Sequence, residues 1–354
     1  MASGTAIMLQ FDTFTKHPEI HDMQVIDTHA HWYPRRFIEL LQQEAAANGA
    51  SMSVDAKGNP VFALPGVSQQ SVMVPSMIEP ALILKAMDER RIDAYALSLT
   101  NPMVYWARPE FGLKLAQAFN DGCAEAADRH PQRFIGTLML PMQDSALAVQ
   151  ELDRAAKLPG MRAVYMAMGI NGKNLHDASF WPVYARCEAL GLPIFLHPLY
   201  PCGIERMGEF FMRNVLGNPY ESGLAAMSLI AGGVMDAFPK LVVMLPHGGG
   251  TFPWLIGRFD KAITARKELA HMKQPASAYL RRFYYDTVTH HPRIMRNLID
   301  LVGIDRIVLG SDYDQDMSYQ RPVEFVDSIP GLTAAEREMI LSGNAARLLG
   351  IGEP

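Results

Sequence analysis

His29 and His31 stand two residues apart near the end of the run Val25–Ile26–Asp27–Thr28–His29–Ala30–His31–Trp32, with Pro34 just beyond it. The run has an apolar start and no internal Gly or Pro, and reads as a short buried strand. Side chains two apart on a strand share a face, so the two imidazoles project together, about 6–7 Å apart along the strand. They can converge on one ion. Three further apolar runs end in the same manner: Pro193–Ile194–Phe195–Leu196 in His197, Val242–Val243–Met244–Leu245–Pro246 in His247, and Ile307–Val308–Leu309–Gly310–Ser311 in Asp312. Taken singly, each has a plainer reading. A His-x-His pair can be two polar residues leaving a core strand, His197 an ordinary strand-end residue, and Asp312 a loop cap. A polar residue at the same relative place in four separated strands points instead to one shared site.

These residue types specify a chemistry. Neutral imidazole and carboxylate suit a divalent first-row metal, zinc as first choice and manganese as second. His29, His31, His197 and Asp312 would supply the ligands and leave a position open to water or substrate. A bound divalent ion acidifies water and polarises a substrate oxygen, so no organic cofactor is needed. His247 is then left over, either as a fifth ligand or as a base close enough to move a proton.

The elements that must position these residues follow from the pattern of the chain. From Pro80 onward, apolar runs of strand length alternate with helical stretches. Counting Val25–Trp32, there are eight strands: Ala94–Thr100, Phe134–Leu140, Arg162–Met168, Pro193–Pro198, Leu241–His247, Phe283–Thr289 and Arg306–Asp312 complete the set. Strands alternating with helices imply parallel pairing and right-handed crossovers. Eight such units predict an α/β fold of the (β/α)8 TIM barrel type, distorted, whose site lies at the C-terminal ends of the strands. An open doubly wound sheet would call for a GxGxxG turn after the first strand, and none is present. Residues 1–24, with His17 and His21, read as an irregular N-terminal arm, and 25–350 as one barrel domain. Residues 48–75 are punctuated by Gly and Pro and contain the turn Asp55–Ala56–Lys57–Gly58. They read as a small β insertion that could overhang the site.

Composition bounds the partners. The chain has 354 residues, 49% hydrophobic and 19% charged, ordinary for a soluble protein with a sizeable core. A net charge of -5 provides no basic field for nucleic acid. No run approaches the ~20 apolar residues of a membrane span, and the N-terminus lacks a basic, apolar leader pattern. Cys123, Cys187 and Cys202 are widely spaced and odd in number, which favours a reducing compartment, the cytoplasm by default. The 22 methionines read as core filler.

Taken together, Asp27–Thr28–His29–Ala30–His31, Phe195–Leu196–His197–Pro198, Gly310–Ser311–Asp312–Tyr313 and the stretch His247–Gly248–Gly249–Gly250–Thr251–Phe252–Pro253–Trp254–Leu255–Ile256–Gly257–Arg258 closely resemble the amidohydrolase superfamily. Within it they are similar to the branch of aminocarboxymuconate-semialdehyde decarboxylase and related non-oxidative decarboxylases. Gly217–Asn218–Pro219 with Glu221, and Gly343–Asn344–Ala345, resemble that branch too, so the likeness runs from about Gln24 to Gly350. It implies that His29, His31, His197 and Asp312 bind the metal, that His247 is the acid/base, and that Asp312 can accept a proton from bound water. It also implies a homodimer, or a higher oligomer, in which Arg258 reaches a neighbouring subunit's site to hold a substrate carboxylate, a task suited to a guanidinium fork.

Two departures qualify the resemblance. The decarboxylase carries a carboxylate-binding arginine in its β insertion, whereas residues 48–75 here contain Lys57 and no arginine; Arg108 could serve instead, or pack on the rim. Where the family often has Tyr-Pro, this chain has Tyr313–Asp314–Gln315–Asp316; the two extra carboxylates either make the rim acidic, which argues against a densely anionic substrate, or are solvated loop charges. Trp32, Tyr105, Trp106, Phe252 and Trp254 fall near predicted strand ends, where they either clamp a flat substrate or pack the core. The expected activity is metal-dependent, non-oxidative decarboxylation of an aromatic or unsaturated, muconate-like carboxylic acid. A hydrolase or hydratase acting on a C–C bond, lactone or enol through the same site is the second reading, and a non-catalytic metal-binding barrel the third.

Overall fold

The computed structural model describes residues 25–67 and 70–352; the expected N-terminal arm lies outside them. Eight parallel strands form one sheet in chain order. They are β1 Ile26–His31, β2 Ala94–Ser98, β3 Phe134–Met139, β4 Met161–Ala167, β5 Ile194–His197, β6 Val243–Leu245, β7 Phe283–Asp286 and β8 Ile307–Val308. Helices connect successive strands, beginning with Arg35–Glu44 and Pro80–Arg90 between β1 and β2. The strands are near-continuous apolar runs because both faces are covered, the outer by helices and the inner by the opposite wall. Every residue of β1 is buried.

The seam between β1 and the end of β8 joins the first and last strands. Thr28 donates from its backbone N (2.9 Å) and from Oγ1 (2.8 Å) to the Leu309 carbonyl. His31 N donates to Tyr313 O at 2.6 Å, and Tyr313 N to His29 O at 3.3 Å. Residues almost the whole chain apart thereby become neighbours in a nearly closed barrel.

The β insertion follows β1 as expected. Ser51–Val54 pairs antiparallel with Pro60–Ala63, which pairs with Ser71–Val72. Its turn is held by Asp55, whose Oδ1 accepts from Lys57 N (2.8 Å) and Asn59 N (2.9 Å).

Several elements are shorter than the sequence pattern suggests. β6 ends at Leu245 because Pro246 has no N–H to continue the ladder. β8 pairs with β7 only over Ile307–Val308. Beyond it, Thr287 Oγ1 donates to Gly310 O (2.9 Å) and accepts from Gly310 N (3.1 Å), so a side chain replaces the regular ladder. The helical region expected over Ser222–Phe238 is two helices, Asn218–Ala231 and Val234–Ala237, divided at Gly232–Gly233, where Gly233 adopts φ 80°. The helix expected over Trp254–His271 runs regularly only from Ile256 to Ala265. No helix among the described residues is long and apolar enough to cross a membrane.

Candidate metal centre and active site

The strand ends bring His29, His31, His197 and Asp312 into one buried group whose donor atoms lie within 4.8 Å of one another. The ring centroids of His29, His31 and His197 are 4.8–5.3 Å apart. Asp312 Oδ1 lies 3.3 Å from His29 Nε2 and 3.1 Å from His31 Nε2. Ligand bonds of about 2.1 Å put donor atoms up to roughly 4.2 Å apart, so the cluster is close to a coordination shell without rearrangement. Two further observations fit an ion. His197 Nδ1 is buried without a hydrogen-bond partner among the described residues, and His29 Nε2 has only the 3.3 Å approach of Asp312 Oδ1, a costly state for polar atoms. The outer nitrogens of the histidine pair on β1 are engaged: His29 Nδ1 lies 2.7 Å from Asp286 Oδ2, and His31 Nδ1 3.0 Å from Ser98 Oγ. Metal-ligating histidines are oriented in this way.

The electrostatics agree with a site built for positive charge. Burial alone would depress His29, but the carboxylates of Asp312, Asp286 and Asp27 outweigh it and raise the group to about 9. Burial opposes ionisation of Asp312, yet His29, His247 and His31 hold it well below the usual carboxylate range. His31 is pushed down to about 4, by burial first and then by the charge of His29. His197 is depressed well below its ordinary value by burial and by His31 and His29. At neutral pH two imidazoles therefore offer free lone pairs.

His247 stands at the edge of this cluster, its Nε2 3.8 Å from Asp312 Oδ2 and its ring 5.4 Å from that of His29. Its backbone is left-handed, φ 56°, and the glycines after it let the chain turn sharply. A Cβ on Gly250 would lie 2.1 Å from Pro219 O, and Gly250 itself has φ 56°. Asp286 supports both sides of the cluster: Oδ2 orients His29 while Oδ1 accepts from Gly248 N at 2.9 Å.

A cavity of about 250 Å³ opens onto His247 and Asp312. Its wall continues through Asn214, Trp254, Thr289, His290, Ile294 and Met317. Of the aromatic residues singled out from sequence, Trp254 lines this cavity. The others pack elsewhere. Trp32 donates from Nε1 to Ile78 O at 3.0 Å. Buried Tyr105 donates to Met139 Sδ at 3.5 Å. Trp106 packs against Phe62, 4.7 Å between centroids, and Phe252 lies between Phe259 and Phe283. Arg108 is exposed at the N-terminus of the helix Pro109–Arg129, and Arg258 is exposed on Ile256–Ala265. Neither lines this cavity.

Sequence reasoning missed Asp286, His290 and Asn214. Asp286 carried the signal that found His197: it is the polar residue closing the apolar run Phe283–Tyr284–Tyr285.

The family model for amidohydrolases matches residues 26–351. The chain belongs to the amidohydrolase family. This amidohydrolase is 31% identical to a 2-amino-3-carboxymuconate-6-semialdehyde decarboxylase of Dictyostelium discoideum, over 92% of this chain and 91% of that one. It is 25% identical to a 2-keto-4-carboxy-3-hexenedioate hydratase of Sphingobium, over 92% and 96% of the two chains. The solved 5-carboxyvanillate decarboxylase of Sphingomonas paucimobilis superposes on it with a TM-score of 0.77 at 25% identity, covering 93% of this chain and all of that one. The amidohydrolase resemblance and the parallel barrel with its inserted sheet, both read from sequence, therefore stand.

Proposed function

We propose that this protein is a metal-dependent, non-oxidative carboxy-lyase acting on an aromatic or unsaturated carboxylic acid. The observation that carries the reading is a juxtaposition at the floor of a partly apolar cavity. A buried cluster of three histidines and one aspartate lies beside His247, a histidine beyond the four donors. The full-length likeness to a decarboxylase supports it. His29, His31, His197 and Asp312 would hold one divalent ion; three imidazoles favour zinc, and the carboxylate also suits manganese. That ion supplies Lewis acidity toward an oxygen of the substrate.

The chain's own groups do the rest. His247 delivers a proton to the carbon that bears the carboxylate, and Asp312, 3.8 Å away, receives or returns one. The electron pair of the breaking C–C bond passes into the conjugated system as CO2 departs, and the new C–H bond takes it up. Trp254 stacks against the flat substrate. Arg108, exposed on the rim, is a reserve carboxylate contact, while Trp32, Tyr105, Trp106 and Phe252 are packing residues away from this cavity.

A second copy of the chain completes the site. Val215 and Trp254 line the cavity yet are 55% and 47% exposed, and Phe210, Phe211, Leu216, Tyr220 and Leu255 are exposed close by in sequence. So much surface apolar area marks an association face. Arg258, exposed on the helix that follows Trp254, would reach the partner's substrate carboxylate. The free Cys123, Cys187 and Cys202 suit a reducing, cytoplasmic setting.

The hydratase among the relatives keeps a second reading in view, hydration or hydrolysis at the same cluster. A panel of hydroxybenzoates, carboxyvanillate-like acids and muconate semialdehydes separates the two. The carboxy-lyase reading expects CO2 release with loss of ultraviolet absorbance. Incorporation of labelled solvent oxygen into product, without CO2, overturns it.

A further inference from the structure

The cavity wall contains a second histidine, His290, on the loop after β7. Three features mark it. First, its backbone is left-handed, φ 57°, a conformation it shares with His247 (56°) and Asp312 (61°). These residues follow β7, β6 and β8, three neighbouring strands, and all three line one cavity. Non-glycine residues in this region cost free energy and persist where the surroundings hold them.

Second, His290 is held. Its N donates to Tyr319 Oη at 2.6 Å, and the two rings lie 4.9 Å apart. Tyr319 is itself fixed: its N donates to Ser311 O at 2.9 Å and its ring stacks on Phe325 at 4.5 Å. Arg90 grips the next residue, donating to Gln320 Oε1 at 2.9 Å.

Third, neither ring nitrogen of His290 has a hydrogen-bond partner among the described residues. The adjacent His291 differs, because its Nδ1 accepts from Arg293 N at 3.2 Å and caps the following helix. His290 thus presents a free donor and acceptor to the cavity while its neighbour is spent on structure.

The charges around it define what it can bind. Among the described residues no lysine or arginine lines the cavity, and its anionic member is Asp312. The rest of the wall combines the apolar Val288, Ile294 and Met317 with the hydroxyl of Thr289 and the amide of Asn214, which are polar but uncharged. A second carboxylate on the substrate would find no cation of this chain in the wall around His290 to offset its desolvation, which is unfavourable. An uncharged oxygen meets a good partner, and burial together with nearby His247 keeps His290 below the usual histidine range.

We propose that His290 is a specificity-determining residue of this cavity: its imidazole hydrogen-bonds an uncharged hydroxyl or carbonyl oxygen of the substrate and so selects a monocarboxylate bearing that group over a dicarboxylate. The assignment rests on the cavity being the substrate site proposed above. The test measures binding of salicylate, benzoate and isophthalate to the metal-loaded protein by calorimetry, for wild type, His290→Ala and His290→Gln, with metal content assayed in each. Wild type binds salicylate about tenfold more tightly than benzoate or isophthalate, in line with one well-placed hydrogen bond. His290→Ala removes that preference while leaving benzoate affinity and metal content unchanged, and His290→Gln, which keeps an N–H donor, restores part of it. Equal weakening of all three ligands in His290→Ala, no change in any, or a wild-type preference for isophthalate overturns the proposal. If the salicylate preference behaves as expected but no acid in the decarboxylation panel loses CO2, the carboxy-lyase reading falls while the role of His290 stands.

Discussion

Asp286 Oδ2 lies 2.7 Å from His29 Nδ1, and both side chains are buried. The contact fixes which nitrogen of His29 faces Asp312 and leaves Nε2 directed into the donor cluster. Asp286→Asn keeps the shape but loses the charge. It is expected to lower metal affinity about 10–100-fold, measured by competition against a calibrated chelator, with circular dichroism unchanged. Wild-type affinity in this variant would remove Asp286 from the account.

His247 is expected to be dispensable for the ion and essential for turnover. His247→Asn should retain one metal per chain by elemental analysis. On any acid that the wild type turns over, its rate should fall about 10²–10⁴-fold, the usual worth of a positioned acid/base. Loss of metal together with activity would instead make it a fifth ligand.

Metal loading should release a proton at neutral pH. In the absence of an ion, His29 titrates near 9 while His31 titrates near 4, so at pH 7 His29 alone of this pair must lose its proton to become a ligand. Affinity then rises with pH and levels off above about 9. Calorimetry in buffers of different ionisation enthalpy counts the proton directly. The same shift acts on stability with a definite sign. A folded-state value raised above the unfolded 6.5 stabilises the metal-free fold below pH 6.5, and that contribution is lost as pH rises through about 9. Thermal melts of chelator-treated protein should therefore show a decline attributable to His29 across about pH 6.5–9 that the metal-loaded protein lacks.

The exposed apolar face predicts assembly. Sedimentation of the wild type should give a dimer or larger, and Leu216→Glu, at a position 44% exposed, should shift it toward monomer without lowering the melting temperature of the monomeric fold. Arg258→Ala should keep the assembly and raise KM for the acid. A wild type that sediments as a monomer at high concentration contradicts this face as an interface.

Gly250→Ala tests the turn behind His247. Its Cβ would collide with Pro219 O at 2.1 Å in a backbone with φ 56°. Backbone strain of this kind costs on the order of 1–3 kcal/mol, seen as a lowered melting temperature, and the displaced His247 should reduce turnover further.

Much of this site was readable because a parallel barrel places the ends of its strands together. Apolar runs ending in His29/His31, His197, His247 and Asp312 suffice, with that geometry, to bring five side chains to one place. Asp286 ended an apolar run too, but its partner is a histidine rather than an ion, and no spacing announces a supporting hydrogen bond. The aromatic residues were harder. Whether Phe252 or Tyr105 faces a cavity or a helix depends on the local turn of the chain, which periodicity leaves open. The helix expected over Ser222–Phe238 failed for a simpler reason, since the Gly232–Gly233 pair interrupts a pattern whose apolar spacing continues across it.

The seam that ties Thr28 and His31 to Leu309 and Tyr313 has a consequence for the order of assembly during synthesis. His31 and Asp312 are separated by 281 positions, and the hydrogen bonds on one edge of β1 come from the far end of the chain. A nascent polypeptide that has not yet reached Asp312 holds three histidines without the carboxylate that completes the donor set. Completion of the donor set therefore waits for the last strand of the barrel, and a ribosome-bound fragment stopped before Leu309 should hold the ion more weakly than the full chain.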